Sequence, residues 1–225
     1  MGEYFRDFDP TVLDNLVLDI SEKRGRINHG TVLLSWYCVP PKKTKRILEL
    51  GSGCGAISIF LAKNHGLNVT GIEVDRELYE LSLRNSELNK TSDLTAFLNT
   101  SVSALKESLS CCSYDMIVSN PPHYLHSGIA SPDDRRNLAR RASVDLMNEF
   151  VETTGFLLKN RGAFFFLLHP RDLTRWIRAF EDAKLAVHRL RFAYGKTDRQ
   201  AQLVLIGGRK SSSSEIVVEP PIFMR

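Results

Sequence analysis

Four consecutive residues, Asn120-Pro121-Pro122-His123, could together hold a planar amine. The two prolines fix φ at successive positions and keep the backbone extended. Neither has an N–H, so their carbonyls are what the backbone presents, and Asn120 adds a side-chain carbonyl beside them. Two acceptors match the two hydrogens of an exocyclic amine, and the imidazole of His123 could stack on the attached ring. The tetrapeptide follows an apolar run, Tyr114-Asp-Met-Ile-Val-Ser119, read as a strand. A plain strand-ending turn is the alternative, because Asn-Pro and Pro-Pro are common turn dipeptides.

A second group of residues lies upstream. Arg46-Ile-Leu-Glu-Leu50 runs into Gly51-Ser52-Gly53-Cys54-Gly55-Ala56, and an apolar helix resumes. Glycines at alternate positions suit a strand-to-helix turn in which a Cβ would block close approach of a ligand. The helix that follows opens with unpaired N–H groups facing that ligand. Glu73 closes the next apolar run, Asn68-Val-Thr-Gly-Ile72. It lies about 20 residues on, where a nucleotide-binding unit presents a carboxylate to ribose hydroxyls. Gly51-x-Gly53-x-x-Ala56 also satisfies the dinucleotide fingerprint, so an NAD-dependent oxidoreductase stays open, as does a glycine turn without a ligand.

These residues need a scaffold, and hydrophobic patterning predicts one. Strands are expected at 46–50, 68–73, 94–98, 114–119, 162–168, 186–193 and 201–207, with helices at 55–64, 76–89, 143–158 and 171–183. The alternation implies a mostly parallel sheet covered on both faces. The expected fold is therefore α/β, a three-layer Rossmann-like sandwich with a seven-stranded sheet whose last strand is antiparallel. Ligands of such sheets bind beyond the carboxyl ends of the strands, so residues 51–55, 73 and 120–123 should face one crevice. Residues 46–225 form the expected core of a single domain and 1–45 a short N-terminal extension. Thr11 to Ile20 reads as an apolar-periodic helix, followed by a polar joint and a second apolar segment from Thr31 to Val39.

Composition narrows the class. With 225 residues, 43% hydrophobic and 25% charged, the chain suits one ordinary globular domain. No apolar run approaches the roughly 20 residues that span a bilayer, and residues 1–10 lack a signal-peptide layout. Cys38, Cys54, Cys111 and Cys112 have neither zinc nor disulfide-framework spacing, so no metal is expected and a cytoplasmic, reducing setting is. The net charge of +4 is compatible with nucleic acid. Arg135, Arg136, Arg140 and Arg141 could contact phosphates or simply solvate a helix start.

Taken together, the chain resembles the class I S-adenosylmethionine-dependent methyltransferases that carry an N-P-P-aromatic motif. Glu49-Leu-Gly-Ser-Gly-Cys-Gly55 is similar to their first motif, Gly71-Ile-Glu73 to the second and Asn120-Pro-Pro-His123 to the fourth. Within that group it resembles the bacterial tRNA-1-valine adenine N6-methyltransferases. Arg26-Ile-Asn-His-Gly-Thr-Val-Leu-Leu34, Asn137-Leu-Ala-Arg-Arg-Ala142, Leu157-Leu-Lys-Asn-Arg-Gly162 and Val218-Glu-Pro-Pro-Ile-Phe223 carry that narrower match. The resemblance implies S-adenosylmethionine held by Glu49, Gly51, Ser52, Gly53, Gly55, Glu73, Ser101 and Asn120. It implies methyl transfer to the exocyclic N6 of adenine in RNA, with tRNA as partner and Asn120, Pro121, Pro122 and His123 as the catalytic set. Three positions depart from the pattern: His123 replaces a larger aromatic ring, Ser101 an acidic residue after the third strand, and Gly30 an aspartate. Glutamine methyltransferases acting on release factors share the N-P-P motif, so a protein substrate stays open. So do other nucleobase amines and a non-catalytic RNA-binding module.

Overall fold

Apolar residues at alternate positions of each central strand point to opposite faces, because the strand period is two. Ile47, Val69, Met116, Val118, Phe165, Leu167 and Leu205 enter one buried core, and Leu48, Leu50, Ile72, Ile117, Phe164, Phe166 and Ile206 enter the other. Such strands can be buried only if helices cover both faces. In the computed structural model, which describes residues 6–19, 27–122, 133–213 and 215–224 with the backbone alone over 133–143, they do. Helices α1 (His29–Tyr37) and α2 (Ala56–His65) cover the first face, with α3 (Arg76–Leu88) beside α2. Helices α4 (Leu105–Ser108), α5 (Asp133–Leu157) and α6 (Leu173–Asp182) cover the second.

The strands are β1 (Arg46–Leu50), β2 (Asn68–Glu73), β3 (Thr95–Asn99), β4 (Tyr114–Ser119), β5 (Leu158–Leu168), β6 (Leu185–Tyr194) and β7 (Leu203–Lys210). They lie in the order β3-β2-β1-β4-β5-β7-β6, and only β7 is antiparallel to its neighbours. The expected three-layer sandwich is therefore the observed one, including the reversed last strand. Two further strands, β8 (Val217–Val218) and β9 (Ile222–Phe223), add parallel pairing along the outer edge of β6. Between them Pro220 and Pro221 have no N–H to give to a ladder, which is why one added edge strand is split in two. Glu219, at the break, is buried against Arg189 and Arg191, and Arg6 and Arg191 both lie over the Trp36 ring at 4.8 Å. This cluster ties both ends of the chain to α1.

The expected helix over 11–20 is corrected. Residues 10–15 form a turn, with i→i+3 bonds from Asp14 N–H to the Thr11 carbonyl and from Leu16 N–H to the Leu13 carbonyl. Beyond it the backbone is claimed by α3: Asn89 Oδ1 accepts from Val17 N–H at 3.0 Å and Asn85 Oδ1 from Asp19 N–H at 2.7 Å. Helical periodicity was real but local propensity was outbid by these amide partners. The second apolar segment is α1, entered two residues earlier than its apolar run because Asn28 caps it by accepting from Thr31 N–H at 2.9 Å. No helix among the described residues is long and apolar enough to cross a membrane.

Candidate active site

The carboxyl ends of β1, β2 and β4, the segment after β3, the start of α1 and one face of α5 surround a cavity of about 670 Å³. That size suits a nucleotide-sized ligand. Its floor is the turn after β1. Gly51, Gly53 and Gly55 all have positive φ, at 73°, 54° and 82°. At Gly53 an added Cβ would meet nothing within 4 Å, so the missing side chain leaves open space above the backbone. Gly55 is set differently: it starts α2 behind the turn, where a Cβ would lie 2.9 Å from the Phe97 ring. Gly51, Ser52 and Gly53 line the cavity, and Ser52 Oγ is buried there without a partner among the described residues.

Glu73 closes β2 as expected and holds this turn. Its Oε2 accepts from Gly53 N–H at 2.7 Å and its Oε1 from Asp75 N–H at 2.9 Å. Each carboxylate oxygen keeps a further lone pair for a ligand hydroxyl. Glu49, on β1, also lines the cavity and is buried. Its Oε2 accepts from both the N–H and the hydroxyl of Ser58 on α2. Burial pushes the Glu49 carboxyl up to about 8; the Ser58 bonds oppose this and the nearby Glu73 charge adds to it.

The sign of that shift makes a prediction. Between the ordinary 4.5 and about 8, the unfolded chain has lost the Glu49 proton while the folded chain keeps it. Stability from this group is complete below that window and falls as pH rises through it, by up to about 1.4 kcal/mol per pH unit. Glu49→Gln is isosteric and does not titrate, so urea midpoints measured from pH 5 to 9 should decline less for this variant than for wild type. Parallel profiles would mean that Glu49 is ionised in the fold.

At the other end of the cavity β4 delivers Asn120 and Pro122 to the wall, with Pro121 buried behind them. Ser119 fixes the end of β4, its hydroxyl donating to the Leu50 carbonyl at 2.8 Å. Asn120 Oδ1 is buried and has no hydrogen-bond partner among the described residues. Its Nδ2 lies 3.4 Å from where a Cβ on Gly30 would sit, and that Cβ would also come within 2.6 Å of Leu167. Gly30 thus lets the start of α1 close over Asn120. His123 lies outside the described residues, as do the side chains of Arg135, Arg136, Arg140 and Arg141, whose backbone belongs to the first turns of α5.

Ser101 lines the cavity, but its hydroxyl is engaged in its own turn, 3.0 Å from Ser103 Oγ and 3.4 Å from Ala104 N. Several lining residues were not anticipated: Asn28, the cap of α1, Thr31 within that helix, and Leu146, Glu149 and Phe150 from α5. Asn28 carried a signal, a capping residue three positions before Thr31. Glu149 carried none, since its contact with Ser103 spans 46 residues. Among the described residues no His, Cys, Asp and Glu group is arranged to hold a metal.

Comparison with known proteins agrees with this geometry. The sequence profile of the methyltransferase small domain family matches residues 23–171. A tRNA1(Val) (adenine(37)-N6)-methyltransferase of Dyadobacter fermentans is 27% identical over 195 residues, covering 86% of this chain and 79% of that protein. The enzyme of the same name from Flavobacterium johnsoniae is 26% identical over 191 residues, covering 84% and 80%. In three dimensions the chain is similar to a predicted O-methyltransferase from Agrobacterium tumefaciens, with a TM-score of 0.67 over 87% of this chain and 86% of that one. At 18% identity that likeness speaks for the fold.

Proposed function

We infer that this chain, which belongs to the methyltransferase small domain family and is a methyltransferase, acts on the exocyclic N6 amine of an adenine in tRNA. The observation that carries this reading is Asn120 Oδ1, a buried acceptor at the mouth of β4 without a partner among the described residues. An unpaired buried carbonyl is costly and rare, so a ligand donor is the natural partner. An exocyclic amine supplies one.

The family and fold imply S-adenosylmethionine as methyl donor, and the residues present fit it. Ser52 Oγ lacks a partner among the described residues, Gly53 leaves its backbone open to close approach, and Glu73 offers lone pairs to ribose hydroxyls. When bound, the donor supplies an electrophilic sulfonium methyl. Everything else falls to the protein. Adenine's N6 lone pair is delocalised into the ring and is a poor nucleophile. Asn120 Oδ1 and the Pro121 carbonyl, accepting one hydrogen each, draw the nitrogen toward tetrahedral geometry and localise that pair. Pro122 keeps the loop extended, and His123 supplies a ring face for the base. No strong general base is needed, because the departing proton becomes acidic once the nitrogen is methylated. The site acts by orientation and fixed dipoles.

An adenine reaches such a pocket only from a loop or after leaving its stack. Arg135, Arg136, Arg140 and Arg141, beyond the motif, are suited to hold the flanking phosphates. Residues 46–225 form the catalytic core and 1–45 its extension, working in the cytoplasm where tRNA is found. The test is direct: incubate the protein with total tRNA and labelled methyl donor, digest to nucleosides and identify the labelled one. N6-Methyladenosine is expected. Label in another nucleoside, or only in added protein, would replace the adenine assignment.

A further inference from the structure

The strand order sets the direction of any nucleoside bound here. β4 and Asn120 lie at one end of the cavity, β1 and its turn beneath it, β2 and Glu73 next, and the segment after β3 beyond that. A ribose at Glu73 therefore places its base against Thr100, Ser101 and Val102. Across from them α5 contributes Leu146 and Phe150, apolar faces for a planar ring, and one carboxylate, Glu149. Glu149 Oε1 accepts from Ser103 N–H at 2.6 Å, which fixes the side chain over this end of the cavity. Its Oε2 has no hydrogen bond among the described residues. Competing acceptors nearby are committed elsewhere: Asp75 Oδ1 caps α3 through Glu77 and Leu78 N–H, and the Ser101 hydroxyl is turned into its own loop.

We propose that Glu149, from α5, reads the 6-amino group of the methyl donor's adenine. The inference rests on the assignment of S-adenosylmethionine to this cavity. A carboxylate accepts from an amine but repels a 6-oxo group, whose lone pairs point at it, so Glu149 selects adenine over hypoxanthine. The bland alternative is that Glu149 only braces the loop after β3 against α5, as Lys106 and Glu152 do nearby at 2.8 Å.

The two roles separate on a pair of ligands, S-adenosylhomocysteine and its 6-oxo counterpart S-inosylhomocysteine, titrated calorimetrically. Wild type should prefer the adenosyl compound by at least about tenfold, the scale of a lost hydrogen bond to a charged group. In Glu149→Ala the preference should fall to near unity. Glu149→Gln keeps an oxygen for Ser103 N–H and gains an N–H that can donate to a 6-oxo group, so its preference should collapse or reverse. A brace predicts equal weakening of both ligands. An adenosyl preference unchanged in both variants overturns the role of Glu149 while leaving the cofactor assignment intact. Failure of wild type to bind S-adenosylhomocysteine at all overturns both.

Discussion

Replacing Asn120 by alanine is expected to lower kcat for methyl transfer by about 10²–10³, the scale of removing one preorganised dipole from an active site. The protein should be no less stable for it. Asn120 Oδ1 is buried and has no partner among the described residues, so alanine removes an unmet hydrogen-bonding demand rather than an interaction. A melting temperature equal to or above that of wild type, with activity nearly abolished, is the signature of a group held ready for a ligand. Asn120→Asp keeps an acceptor at the same place and should retain more activity than alanine. Because the proposed bond is to the reacting amine, the loss should fall on kcat under saturating tRNA and methyl donor. If kcat survives and the melting temperature drops, Asn120 is a structural turn residue after all.

The part of this site legible in the sequence is the part built from local rules. Gly51, Gly53 and Gly55 announce positive φ because no other residue adopts it cheaply, and Glu73 follows at the spacing of a β-α-β unit. β1, β2 and β4 begin and end where the apolar runs do, since each is buried on both faces. Beyond that the pattern thinned. β5 begins at Leu158 rather than 162 because Leu158 pairs with Tyr114 across an irregularity that no periodicity announces. The N-terminal stretch lost its expected helix to Asn85 and Asn89, polar residues that in a sequence look like the solvated side of α3 but are buried. The glycine pattern alone admitted a dinucleotide. What favours methyl transfer is distant: β7 turned antiparallel between β5 and β6, and Asn120 brought to the same cavity as Gly53 and Glu73.

Glu73→Ala should weaken S-adenosylmethionine binding by about a hundredfold. Two hydrogen bonds from ribose hydroxyls to a carboxylate contribute about 1.5–3 kcal/mol each, less some loss to non-additivity. The structure adds a second route to the same outcome. Glu73 is also the acceptor for Gly53 and Asp75 N–H, so alanine frees the floor of the cavity as well as removing the proposed ribose contact. Glutamine is no conservative replacement here. One end of its amide would point N–H at N–H, against either Gly53 or Asp75, and the charge would be gone. Gly53→Val distinguishes the two routes. Its Cβ enters open space and leaves the Glu73 bonds in place, so affinity is lost through occlusion, while the strain of a β-branched residue at φ 54° costs stability. Calorimetric titration of the three proteins, with melting temperatures alongside, separates these contributions. Glu73→Ala should lose affinity and stability because Gly53 and Asp75 N–H lose their acceptor, and Gly53→Val should lose affinity by occlusion and stability by backbone strain with those bonds intact. If Glu73→Ala melts lower yet binds the donor as wild type does, the carboxylate serves the turn alone and the ribose lies elsewhere.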